Sequence, residues 1–254
     1  MTIESPQSFV VREECQKAAS QNGFRRFLGE EAGWATFGST TAHGMIRLAA
    51  NGPRGPWLLA VDHPGVIQEL DLPETTILGP GRIRVAFDTL GALYSVLHRV
   101  YELGVSLPDA PLREFERRVA DLPRTTEAER LVVQRIGQDI FRDRLMDYWQ
   151  GRCPLTGISD PALLRASHII PWSDCKSDAE RLDVHNGLLL SALWDAAFDR
   201  ALVTFDDEGR PKFSTNLSEQ ARGELRWNSP ILLTDEHRRR LARHRERHFA
   251  LSTP

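Results

Sequence analysis

Cysteine, lysine and long apolar runs are scarce in this chain of 254 residues. Its three cysteines, Cys15, Cys153 and Cys175, are an odd number with no C-x-x-C pair, which excludes a disulfide framework and a zinc knuckle. A reducing, cytoplasmic compartment is expected. No stretch approaches the roughly 18 uninterrupted apolar residues of a membrane span, and MTIESPQSFVVREE lacks the basic and apolar regions of an export signal. Only 18 glycines and 15 prolines accompany 41% hydrophobic and 26% charged residues, so disordered and collagen-like chains are excluded and a packed core is expected. Lysine occurs only at 17, 176 and 212, and arginine supplies the other positive charges. The net charge of −3 argues against a protein that holds nucleic acid by bulk electrostatics. No fixed-period repeat is visible, which removes solenoids and propellers.

What is present reads in three parts. Residues 1–107 open with a mixed polar segment and continue with strand-like runs MIRLAA (45–50), WLLAVD (57–62) and RIRVAF (82–87), separated by Gly/Pro turns. TLGALYSVLHRVYELG (89–104) has helical periodicity with Gly104 as its expected C-cap. Together these predict a small α+β domain, ending at the turn-rich SLPDAP (106–111). A helical connector, 108–150, contains a long helix starting at Thr125 or Thr126, with Glu129 completing a capping box. Its apolar stripe is read as Leu131, Ile136 or Val132, Ile140, Leu145 and Trp149. Arg135, Gln138 and Arg142 share another face, either solvated or in contact with phosphate.

Residues 151–254 hold the chemistry. LLRASHII ends at Pro171, which places His168 near a strand end beside a residue unable to continue a ladder. A polar loop leads to the turn pair Asn186-Gly187, then to LLLSALWDAAFD, read as helical, in which Asp195 and Asp199 at i and i+4 share a face. ALVTFDDEGRPKFS reads as strand, turn, strand. HRRRLARHRERH (237–248) is a local basic block, either a solvated helix with Leu241 and Phe249 inward or, the favoured reading, a phosphate-backbone clamp through Arg238, Arg239 and Arg240. Cys153, Cys175 and His185 are a minor zinc alternative with irregular spacing.

A-S-H-I-x-P-W, N-G-L-L-L and F-D together resemble the HNH endonuclease family, the ββα-metal nucleases, over residues 125–215. The resemblance implies a C-terminal ββα-metal domain in an α+β protein. It also implies His168 as general base, Asn186 as the residue that fixes strand and helix together, and Asp195 with Asp199 as ligands of one divalent metal; by its amide's donor and acceptor groups Asn186 is expected to tie the loop to the strand. Two positions depart from the family pattern. Ser167 stands where many members carry a metal-binding His or Asp, and Asp195 replaces the final histidine. Carboxylates are hard ligands, so Mg²⁺ or Mn²⁺ is expected over Zn²⁺.

The expected function is metal-dependent hydrolysis of DNA phosphodiester bonds, in a restriction or defence enzyme whose N-terminal domain recognises its target. The layout resembles modification-dependent restriction endonucleases, so the DNA partner is expected to include modified DNA. Such modules often nick one strand each, so cutting both strands would call for a homodimer. Two alternatives stand beside this reading: a DNA-binding protein with an inactive module, favoured by Ser167, and a nuclease gated by a nucleotide or protein partner. Trp34, Phe37 and Trp57 are read as core, with a pocket for a flipped base as the alternative.

Overall fold

The computed structural model describes residues 2–123 and 125–252, the side chains of 247–252 excepted. The fold is α+β, in two compact units, residues 1–110 and 111–254. Among the described residues no helix is long and apolar enough to cross a membrane. The three cysteines are buried and free.

In the first unit α1 (Phe9–Gln21) begins where Ser8 accepts from the Val11 N–H. Next come β1 (Arg26–Glu31), β2 (Trp34–Gly38), β3 (Met45–Ala50), β4 (Trp57–Val61), α2 (Pro64–Leu70), β5 (Ile83–Phe87) and α3 (Leu90–Ser106). The five strands form one antiparallel sheet in the order β1 to β5. The three runs expected as strands are β3, β4 and β5. The polar opening conceals α1, and the β1–β2 hairpin went unread because its residues alternate weakly.

Strand alternation sorts the sheet into two faces. Phe37, Ile46, Leu48, Trp57, Leu59 and Val61 are buried on the face where α1 and α3 pack. Trp34, Ala49, Leu58 and Ala60 lie on the other, where Ile3 and Ile77 cover them. All three aromatics are therefore buried in the core as expected, Phe37 and Trp57 on one face of the sheet and Trp34, 3% exposed, on the other, so they line no common pocket. Gly104 does not end α3, which continues to Ser106 with Leu107 as C-cap. A Cβ at Gly104 would meet Ala42 Cβ at 3.2 Å, a tight contact that suits the small residue found there.

The second unit runs through α4 (Ala110–Val119), α5 (Glu127–Tyr148), β6 (Leu164–His168), α6 (Asp178–Leu182), β7 (Gly187–Ser191), α7 (Ala192–Asp199), β8 (Val203–Phe205), β9 (Pro211–Phe213), α8 (Glu219–Glu224) and α9 (Asp235–Ser252). The Thr126–Glu129 capping box is formed at the start of α5. The buried stripe of that helix is Gly137, Ile140, Phe141, Leu145 and Tyr148, whereas Leu131 and Val132 are 58% and 53% exposed. The expected stripe was wrong at its N-terminal end. LLLS, read as helical, is strand β7, paired antiparallel with β6 and buried at every position. An apolar run buried on both faces has no two-residue period to distinguish it from a helix. Strand, loop, strand, helix is thus the order, and a core of Leu164, Leu188, Leu190, Trp194, Phe198 and Phe205 binds it together.

Candidate active site

The β6–β7 hairpin sets the site. His168 is the last residue of β6 and pairs with Gly187, the first of β7. Asn186 is fully buried and clamps the strand exit: its Oδ1 accepts from Ile170 N–H (2.9 Å), and its Nδ2 donates to the carbonyls of Ile170 (3.2 Å) and Glu180 (3.3 Å). Gly187 has φ of −147°, so Asn186-Gly187 is not a left-handed turn. Space explains the glycine: a Cβ there would lie 2.5 Å from Phe141 Cζ and 2.7 Å from Leu145 Cδ1.

Phe141 in turn stacks on the His168 ring, with centroids 3.8 Å apart and planes at 18°. Trp172 meets the same ring edge-on at 5.6 Å and rests against Gly137 of α5. His168 Nε2 lies 2.9 Å from the Arg181 carbonyl. A carbonyl can only accept, so Nε2 carries the hydrogen and Nδ1 of the neutral ring is the proton acceptor. Arg181 is itself tied to the loop by the Trp172 carbonyl (3.2 Å), the Cys175 carbonyl (2.8 Å) and Asp178 (3.0 Å). Burial pushes the His168 pKa down to about 4, against the smaller upward effect of the Arg181 carbonyl. The imidazole is neutral at pH 7.

A cavity of about 300 Å³ brings His168 together with Asp199, Ala166, Pro171, Trp172 and His244. Asp195 and Asp199 are one turn apart on α7, and Asp195 Oδ1 accepts from Ser167 Oγ at 2.6 Å. His244 comes from α9. Its Nδ1 is 2.9 Å from Thr204 Oγ1, its Nε2 is 3.3 Å from the Phe198 carbonyl, and its ring stacks on Phe198 at 4.0 Å, so it holds the end of α7 next to Asp199. Sequence reasoning missed Phe141, Trp172 as the histidine's wall, and His244. The first two are ordinary apolar residues by pattern, and His244 was absorbed into the basic block.

Among the described residues, no group of three or more His, Cys, Asp or Glu side chains is arranged to hold a metal. Cys153, Cys175 and His185 therefore form no zinc site. Asp195 and Asp199 offer oxygen donors only, which fits a hard ion that needs one or two carboxylates and takes water and phosphate oxygens for the rest.

The basic residues divide by their partners. Arg135 is exposed beside Asp139 (3.5 Å), and Gln138 is exposed on the same helix. Arg142 donates to the carbonyls of Leu164 (2.9 Å) and Pro161 (2.8 Å), fixing the entry to β6. Arg238 pairs with Asp235 and Arg239 with Glu236, both at the helix surface. Arg240 is largely buried between Asp183 (2.5 Å) and Glu236 (2.8 Å). Arg243, which sequence reasoning did not single out, is 54% exposed and lines a second cavity that shares Pro171 and His244 with the first. Leu241 is buried as expected, and the Phe249 side chain lies outside the described residues.

Beneath Arg240, Asp183 accepts from His185 Nδ1 (2.9 Å). Burial raises the Asp183 pKa, but the His185 hydrogen bond and the His185 and Arg240 charges outweigh it and hold the carboxyl below its usual range. His237 packs against His185 and Tyr148, and burial pushes its pKa down to about 3.

No curated protein matches the chain. Residues 153–206 match the family model described as HNH endonuclease, and that span contains the hairpin and helix carrying His168, Asn186, Asp195 and Asp199.

Proposed function

We propose that this protein is a metal-dependent DNA endonuclease of the HNH type, acting in restriction or defence, in which residues 1–110 recognise the target or a signal. The observation that carries the catalytic part is the shared cavity of His168 and Asp199, with a neutral imidazole whose protonated nitrogen is already assigned. Hydrolysis requires a water to lose a proton as it attacks phosphorus, and His168 Nδ1 accepts it. Phe141 and the Arg181 carbonyl hold the ring in one orientation, and Asn186 holds the strand end from which it projects. Asp195 and Asp199 would hold the divalent ion, Mg²⁺ or Mn²⁺, whose chemistry is to offset charge at the scissile phosphate and the leaving oxygen. Exposed Arg135, Gln138, Arg238, Arg239 and Arg243 supply phosphate contacts, while Arg142 and Arg240 keep the unit's shape.

Plasmid cleavage with Mg²⁺, Mn²⁺ or EDTA tests the reading, on unmodified DNA and on DNA with modified cytosine or phosphorothioate. Metal-dependent cutting that His168→Ala abolishes supports the nuclease, and restriction of that cutting to modified DNA supports the recognition role. A second reading, DNA binding by an inactive module, is favoured by the Ser167 hydroxyl bonded to one oxygen of Asp195. Tight DNA binding with no cutting under any metal selects it.

A further inference from the structure

The first unit holds a cavity of about 490 Å³ on the sheet face opposite α1 and α3, large enough for a nucleoside. Ile3 and Ile77, the latter in the irregular segment 71–82, pack on that face beside the cavity, and Trp34, Thr36 and Arg47 form part of its wall. Thr36 and Arg47 are cross-strand partners, and Trp34 is two residues from Thr36 on the same face. Gly79 closes over the indole, since a Cβ there would lie 2.8 Å from Trp34 Cζ2. Leu78, beside it at the mouth, is 91% exposed.

The polar groups have a specific character. Among the described residues neither the Trp34 indole N–H nor the Thr36 hydroxyl has a hydrogen-bond partner. Arg47 donates through Nη1 to Asp62 (2.5 Å), which matches its charge and leaves further N–H groups of the guanidinium. Glu31 adds an exposed carboxylate at the rim. The cavity thus combines an aromatic wall, several donors and an acceptor, with no surplus positive charge. Such a balance does not favour a phosphate or a carboxylate ligand. It suits a flat heteroaromatic ring with acceptors and amino donors along one edge.

We propose that this cavity binds a nucleobase, its ring against Trp34 and Leu78 and its hydrogen-bonding edge towards Thr36, Arg47 and Glu31. The proposal deepens the recognition role proposed for this unit and rests on the reading of the protein as acting on DNA. The base comes either from a free nucleoside or from a DNA strand, where it must leave the stack to enter.

The test uses the full chain, as wild type, Trp34→Phe and Thr36→Val, each checked for an unchanged melting temperature. Free nucleosides are titrated calorimetrically, and duplex DNA with a single 2-aminopurine reports extrusion by a rise in fluorescence. Either signal in the wild type, weakened about tenfold by Thr36→Val for the loss of one hydrogen bond and also weakened by Trp34→Phe for the smaller ring contact, supports the proposal. Heat with free nucleosides alone assigns a free ligand, and fluorescence alone assigns a base in DNA. Neither signal, or signals unaffected by both variants, overturns it. Cleavage dependent on His168 is measured in parallel. Binding without cleavage counts against the nuclease alone, and cleavage without binding counts against the cavity alone.

Discussion

The Ser167 hydroxyl donates a 2.6 Å hydrogen bond to Oδ1 of Asp195, joining β6 to α7 at the position where a metal ligand is usual in the resembling family. A partner that orients a ligand typically changes metal affinity by about 10–100-fold. Ser167→Ala is therefore expected to raise the Mg²⁺ concentration for half-maximal cleavage about tenfold. Asp195→Ala and Asp199→Ala are expected to abolish the metal response. Metal titrations of plasmid cleavage measure all three, and an unchanged Ser167→Ala curve would remove the orienting role.

A Cβ at Gly187 would lie 2.5 Å from Phe141 Cζ, closer than real Cβ contacts come. Gly187→Ala is expected to cost about 1–3 kcal/mol by overpacking and to lower cleavage by displacing Phe141 from His168. Phe141→Leu in the Gly187→Ala background should recover part of the stability. Urea unfolding of the two single variants and the double variant gives the coupling, and strict additivity would rule out the contact as the cause.

Burial depresses the pKa of His168 to about 4, so the acid limb of the cleavage rate is expected near pH 4 rather than 6.5. A limb at 6.5 in the pH profile of kcat/KM would contradict the buried, neutral base.

The same burial has a stability consequence. His168 and His237 have folded pKa values of about 4 and about 3, below the 6.5 of the unfolded chain, so protonation favours unfolding. Their neutral forms contribute full stability above pH 6.5, and that contribution is lost as pH falls from 6.5 through about 4 and then about 3. His237→Phe is expected to flatten the decline of unfolding free energy between pH 6.5 and 4, by at most about 1.4 kcal/mol per pH unit. Denaturant melts across that window decide it, and an unchanged slope would exclude His237.

Arginines that hold carbonyls and arginines that face solvent should separate experimentally. Arg142→Ala and Arg240→Ala are expected to lower the melting temperature. Arg239→Ala and Arg243→Ala should leave it within a degree or two and reduce the salt dependence of DNA binding by about one unit of slope each. Equal slopes in wild type and surface variants would move the DNA contact elsewhere.

Much of the site was legible because its signals are local. The capping box needs only residues 126–129, the strand at 164–168 stops three residues before a proline, and Asp195 and Asp199 share a face by helical spacing alone. Residues close in sequence carry that information whatever the rest of the chain does. Position 187 shows the limit: Asn-Gly reads as a turn by propensity, yet the glycine answers to Phe141, 46 positions earlier in the chain. Strand β7 was lost to the helix reading because uniform burial erases the period that separates the two. The stacking of Phe141 on His168, the hold of His244 on α7 and the division of Trp34 from Phe37 and Trp57 were decided only by the tertiary structure. Each depends on which distant surfaces pack together, and apolar periodicity says that a side chain is buried without saying against what.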